Sequence, residues 1–136
     1  MPHIADLYVE AFRENALATA KLNYADPFSF GDYNRAIDDM RNAASEINRY
    51  YPDRIPKLVE YLDDESGFVR RWAAICLIEL VKIDETTQEK AVAVITSEAE
   101  RLSMEETEEP NKKMNAELLR RWLTNWALGK VATVNE

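Results

Sequence analysis

The sequence predicts an all-α protein of six helices, stacked as three antiparallel helix pairs. Only 3 glycines and 5 prolines occur in 136 residues, too few turn residues for a β-sandwich or a β-barrel. Ala, Leu, Glu, Arg and Lys, which favour helices, dominate the composition. Apolar residues also recur at helical spacing along most of the chain. With 46% hydrophobic residues, a chain of this length can bury one core, so residues 1–136 are expected to form a single domain.

The first predicted pair covers residues 2–50. Apolar spacing predicts a first helix over about 2–25, which ends before Pro27 because the residue preceding a proline avoids the α region. Ser29 and Asp32 have the spacing of a capping box and predict the start of the second helix, which continues to Tyr50.

The second predicted pair covers residues 52–83. An acidic turn over 63–67 joins a short third helix to a fourth helix that carries two apolar stripes. Ile75 and Ile78 belong to the second of these stripes. A helix that is apolar on nearly all sides is expected to lie at the centre of the fold.

The third predicted pair covers residues 84–130. Its two helices are joined by an acidic segment over 104–113, which has no apolar pattern and is expected to be a mobile loop. Gly129 is the expected stop of the sixth helix. The expected cap of the fifth helix is one of Asp84, Thr86 and Thr87.

The segment from Leu58 to Lys82 resembles a HEAT repeat. In that family an apolar helix is followed by an Asp/Asn-rich turn, a Val-Arg pair, and small residues and leucines at fixed offsets. The resemblance implies a HEAT/ARM-like right-handed α-α superhelix, which we expect in place of a compact six-helix bundle. The residues that carry it are Leu58, Leu62, Asp63, Asp64, Val69, Arg70, Ala73, Ala74, Leu77 and Leu80.

More of the chain is similar to a bacterial family of short HEAT-like proteins of unknown function. That resemblance transfers no activity, but it implies a binding scaffold, and some small helical-repeat proteins resemble immunity proteins that neutralise toxins. The late part of the pattern departs from the family in spacing. The matching residues are Asn34, Val69, Arg70, Trp72, Ala73, Ala74, Ala116, Leu119 and Trp122.

The charge of the chain favours a basic protein as partner. There are 25 acidic and 17 basic residues, a formal net charge of −8, which opposes binding to nucleic acid or to an anionic membrane. The start of the sequence has no signal-peptide pattern and no apolar run approaches membrane-spanning length, so we expect a cytoplasmic protein.

Motifs for catalysis or for a cofactor are not found. There is no glycine-rich phosphate loop and no metalloprotease or hydrolase motif, so we expect no enzymatic activity and no cofactor. Cys76 and His3 are the only cysteine and the only histidine, and we expect no metal site. Arg70 is expected to pair with the acidic turn, at Asp63, Asp64 or Glu65.

The second helix of each pair is expected to carry the partner-binding face. Ile75 and Ile78 occupy places that are commonly polar in HEAT repeats, so they either pack on neighbouring helices or form an apolar binding patch. The partner would be a basic protein, such as a secreted nuclease toxin. The predicted contact residues are Arg71, Ile75, Ile78, Glu79, Arg121 and Asn125.

An alternative function comes from a repeated Arg-Arg-Trp sequence at 70–72 and 120–122. If the fourth and sixth helices lie side by side, the two copies could form one basic, aromatic patch. Such a patch could bind nucleic acid or a damaged base, as in HEAT-type DNA glycosylases, although the net charge opposes it.

Overall fold

The computed structural model describes residues 3–22, 26–104 and 110–134, and within these ranges it is all-helical, with six α-helices and no strand. This confirms the predicted all-α class and its six helices. Three short 3-10 turns lie between consecutive helices in the first part of the chain, at Thr19–Lys21, Pro52–Arg54 and Tyr61–Asp63. The helices are α1 Ile4–Ala18, α2 Ser29–Tyr50, α3 Ile55–Glu60, α4 Gly67–Leu80, α5 Glu85–Met104 and α6 Pro110–Val134.

Three helix pairs account for the most extensive packing: α1 on α2, α4 on α5, and α5 on α6. The first and the last of these agree with the predicted pairs. The middle one differs, because α3 is only six residues long and α4 packs mainly on α5. Helix α4 also contacts α1, α2 and α3, so it lies at the centre of the fold, as its two apolar stripes predict.

The core of the protein is built around α4. Its Val69, Ala73, Ala74 and Leu77 are all at most 1% exposed. The alanines allow neighbouring helices to approach closely, while Phe12, Met40, Ile47 and Ile95 fill the space around them from the other helices. None of the described helices combines the length and the low polarity that a membrane span needs.

The bounds of α2, Ser29–Tyr50, agree with those predicted, whereas the end of α1 and the cap of α2 differ. Helix α1 ends at Ala18 rather than near residue 25, and a 3-10 turn follows in which the Thr19 hydroxyl donates to the carbonyl of Ala16, at 2.6 Å. The predicted capping box is wrong, because Phe28 is the N-cap residue and Ser29 already lies in the helix, where its hydroxyl donates to the carbonyl of Asp26 at 2.8 Å. Instead the Asp26 carboxylate accepts from the Phe28 amide, at 3.1 Å. Residues 23–25 lie outside the described residues.

The predicted cap of α5 is confirmed, because the Asp84 carboxylate accepts from the Thr87 amide at 2.7 Å. The predicted loop over 104–113 is too long. Helix α6 begins at Pro110, a residue that suits a first helical position since its missing amide has no partner there. Gly129 does not end α6, which continues to Val134. The rest of the predicted loop, residues 105–109, lies outside the described residues.

Cys76 is 1% exposed in the interior of α4, and burial raises the pKa of its thiol to about 12. Because the thiolate is the reactive form, Cys76 is expected to be inert in the folded protein. We predict no reaction with an aromatic disulfide reagent at pH 8 in native buffer, followed by full reaction in denaturing urea. Rapid labelling without denaturant would show that α4 opens far more readily than its burial indicates.

Candidate functional site

One open groove runs between α2, α4 and α6, with a cavity volume of about 320 Å³. We call it the three-helix groove. The volume lies at the lower end of the range for binding sites of small molecules or a few side chains. The lining residues are Tyr33, Ile37 and Arg41 from α2; Arg71, Trp72, Ile75 and Glu79 from α4; and Leu118, Leu119 and Trp122 from α6.

Helical spacing brings these side chains onto facing surfaces. On α4, Arg71, Ile75 and Glu79 are four residues apart, as are Tyr33, Ile37 and Arg41 on α2. Residues at this spacing follow one another along the same side of a helix. Each helix therefore presents one narrow stripe to the groove and keeps its alanine-rich side for the core.

Glu79 connects the three walls of the groove. One of its oxygens, Oε1, lies 3.1 Å from Nη1 of Arg41 on α2. The other, Oε2, accepts from the indole nitrogen of Trp122 on α6, at 2.9 Å. Both carboxylate oxygens are thus bonded, and the Trp122 ring is held in the wall of the groove.

The Trp72 ring forms part of the floor of the groove. Its indole nitrogen donates to the Thr19 hydroxyl, at 3.1 Å, and that hydroxyl in turn donates to the Ala16 carbonyl. The polar atom of the ring is therefore satisfied on the side of α1. The groove receives the apolar part of Trp72, together with Ile37, Ile75 and Leu118.

Comparison with known proteins gives no further assignment. No family model, no curated protein and no solved structure matches this chain. Within the described residues, no three His, Cys, Asp or Glu side chains are grouped so that they could hold a metal ion.

A charged cluster lies beside the groove and is centred on Glu98 of α5, which is 5% exposed. Arg70 reaches its Oε1 at 2.6 Å, and Arg101 reaches its Oε2 at 2.8 Å. Burial alone raises the pKa of Glu98, but the hydrogen bonds and charges of Arg101 and Arg70 outweigh burial, and the pKa lies below its usual value. A side chain at Gly67 would meet this cluster, since an added Cβ would lie 3.2 Å from Nη2 of Arg101.

Three of the predicted contact residues line the groove: Arg71, Ile75 and Glu79. Arg71 does not project from an exposed face of α4, because it is 7% exposed. Its guanidinium stacks over the Phe68 ring, at 4.5 Å from the ring centre, and approaches Glu98 to 3.8 Å. A buried cation beside a buried carboxylate contributes to the packing of α4 on α5 rather than to an exposed face.

The other three predicted contact residues lie outside the groove lining. Ile78 is half-buried and packs against the core, which matches the packing alternative stated above. Arg121 and Asn125 are exposed on α6, three residues after Leu118 and Trp122 respectively. By helical geometry they flank the α6 edge of the groove.

The predicted partners of Arg70 also differ. Its side chain pairs with Glu98 and donates to the main-chain carbonyl of Asp64, at 2.7 Å, rather than to the carboxylates of the turn. The Asp64 carboxylate accepts from Arg13 of α1, at 2.9 Å. Because Arg71 is buried, it does not contribute to the exposed basic patch on which the nucleic-acid alternative depends.

Sequence reasoning brought Trp72 and Trp122 together only in the nucleic-acid alternative, and the structure does place both in the groove. Trp72 and Trp122 have core spacing, and each is only half-buried in the structure. The sequence did contain one indication of their position: a tryptophan needs a partner for its indole N–H, so it often lies where the core meets a polar surface. Sequence reasoning did not assign Tyr33, Ile37 and Leu118 to a site, because residues that line a groove and residues that face the core recur with the same helical spacing.

Proposed function

We propose that the protein is a non-enzymatic protein-binding module that receives an apolar segment of a basic partner in the three-helix groove. The observation that carries this proposal is the groove itself, an open and largely apolar channel bordered by three helices. Exposed apolar surface is costly to keep in water, and contiguous patches of it commonly mark binding sites. In this proposal the three helices belong to a HEAT-like right-handed superhelix and the groove lies on its inner face.

Two features favour an amphipathic helix as the bound segment. The groove is open rather than enclosed, and helix-in-groove binding uses apolar residues at spacings of three and four. The net charge of −8 attracts a segment whose other face is basic and accelerates its association. A regulatory or immunity-type role, in which the module masks a basic protein, would use such a site.

The test uses a synthetic amphipathic helix with leucine on one face and arginine on the other. Leu118, 41% exposed, lines the groove, whereas Leu7, 48% exposed on α1, does not. Leu118→Arg is expected to weaken binding of this peptide about tenfold, because it fills the groove and repels the cations of the peptide. Leu7→Arg adds the same charge elsewhere and should change the affinity less than about twofold.

Binding is measured by titration calorimetry and by the emission of the tryptophans that line the groove. The wild-type affinity should also fall as salt is added, since exposed charges are screened. Equal losses in the two variants would show that the peptide does not use the groove. Absence of binding by the wild-type protein would contradict the proposed function.

A further inference from the structure

A second cavity, of about 210 Å³, lies between α5 and α6. We call it the α5–α6 notch. It is lined by Glu85, Gln88, Glu89 and Val92 from α5 and by Trp126 from α6. Glu85 and Glu89 are four residues apart, so both carboxylates lie on the side of α5 that faces the tryptophan.

The notch and the three-helix groove share an aromatic wall. The rings of Trp122 and Trp126 are stacked, with centres 6.4 Å apart and planes 7° from parallel. Trp122 lines the groove and Trp126 lines the notch. A segment lying in the groove therefore needs to extend past only this pair of rings to place a side chain in the notch.

The two cavities differ in whether their carboxylates already have partners, so they suit different side chains of a bound segment. In the groove, both oxygens of Glu79 are bonded, one of them to the cation of Arg41 from the neighbouring helix. In the notch, the side-chain carboxylates of Glu85 and Glu89 form no ion pair or hydrogen bond with any residue that the structure describes. The groove suits apolar side chains, and the notch offers two carboxylates to a cation.

We propose that the α5–α6 notch receives an arginine side chain of the same partner segment whose apolar side chains occupy the groove. This inference rests on the proposed function. The planar guanidinium stacks on the Trp126 ring while its N–H groups reach the carboxylates of Glu85 and Glu89, a geometry that arginine provides better than lysine. The groove then supplies affinity, and the notch selects basic segments and sets their orientation.

The experiment compares two double variants and two peptides. Glu85→Gln with Glu89→Gln removes both charges of the notch. The matched control is Glu10→Gln with Glu14→Gln, which removes two exposed carboxylates at the same spacing on α1. The peptides are the leucine–arginine helix and a leucine–glutamine helix of the same length, which keeps the apolar face and has no cations.

The notch variant is expected to bind the arginine peptide about tenfold more weakly than the wild-type protein, from the combined loss of a cation–π-supported pair of ion contacts. The control should lose less than about twofold, because only long-range attraction changes. The glutamine peptide should bind the wild-type protein and both variants equally. An additional sign of contact is quenching or a shift of Trp126 emission by the arginine peptide, absent in Trp126→Phe.

Equal losses in the notch variant and the control, with the glutamine peptide still bound, would overturn the assignment of the notch and leave the proposed function of the groove intact. Failure of the wild-type protein to bind either peptide would overturn both. A third peptide, with lysine in place of arginine, tests the stacking, and binding as tight as that of the arginine peptide would contradict the stacked guanidinium.

Discussion

Replacing Phe12 with alanine is expected to lower the free energy of unfolding by about 4 kcal/mol, the largest effect that we predict for a single substitution. Phe12 of α1 is 1% exposed, and its ring is stacked on that of Tyr61, with centres 6.1 Å apart. The Tyr61 hydroxyl donates to the carbonyl of Val9, at 3.1 Å. Truncation removes the buried ring, leaves a cavity, and loosens the contact of α1 with the turn before α4.

Urea denaturation followed by circular dichroism measures this loss. Phe28→Ala is the matched control, because Phe28 is 91% exposed and its truncation should change the free energy of unfolding by less than about 0.5 kcal/mol. A loss below about 1 kcal/mol for Phe12→Ala would show that the core closes around the missing ring.

Replacing Glu98 with alanine is expected to destabilise the protein by about 3 kcal/mol, because it removes the only carboxylate shared by Arg70 and Arg101 in the described structure. Arg71, itself buried, would lose the same neighbour. Glu100→Ala is the control, since Glu100 is exposed on the same helix. Equal, small effects of the two substitutions would mean that the arginines find water or other partners at little cost.

The effect of Glu98 should depend on pH with a defined sign. The folded protein holds the pKa of Glu98 below its usual value, so the unfolded chain takes up a proton first as the solution becomes acidic. The contribution of the Glu98 carboxylate to the free energy of unfolding is complete above the pKa of Glu98 in the unfolded chain, about 4.3, and is lost as the pH falls through its pKa in the folded protein. The difference in stability between the wild-type protein and Glu98→Ala should therefore be largest near neutral pH and shrink below about pH 4.

Much of the fold could be predicted, because the spacing of apolar residues and the composition of a segment largely decide whether that segment is a helix. The two apolar stripes of α4 require neighbours on both sides, and α4 does contact four other helices. Helix ends were harder, because they depend on tertiary contacts. Helix α1 ends where Thr19 bonds to Trp72, a residue 53 positions away, and no local pattern contains that contact.

The candidate site could be predicted only in part. The spacing of Ile75 and Glu79 on α4 was visible in the sequence, and both line the groove. The burial of Arg71 was not, because it follows from Glu98, which lies on the next helix. A cationic side chain on a helix is normally expected in water, and only the position of a partner in space decides otherwise.

The contacts around Asp64 and Glu98 have a consequence for how the molecule comes apart. Arg13 of α1 holds the Asp64 carboxylate, Arg70 of α4 holds the Asp64 carbonyl, and the same Arg70 holds Glu98 of α5. Proteins built from stacked layers can fray from one end, because each layer meets only its neighbours. Here, unfolding of α1 or of α5 alone would leave a charged side chain in the remaining structure without its partner. Unfolding of all the helices in one step is therefore favoured over stepwise unfolding from either end.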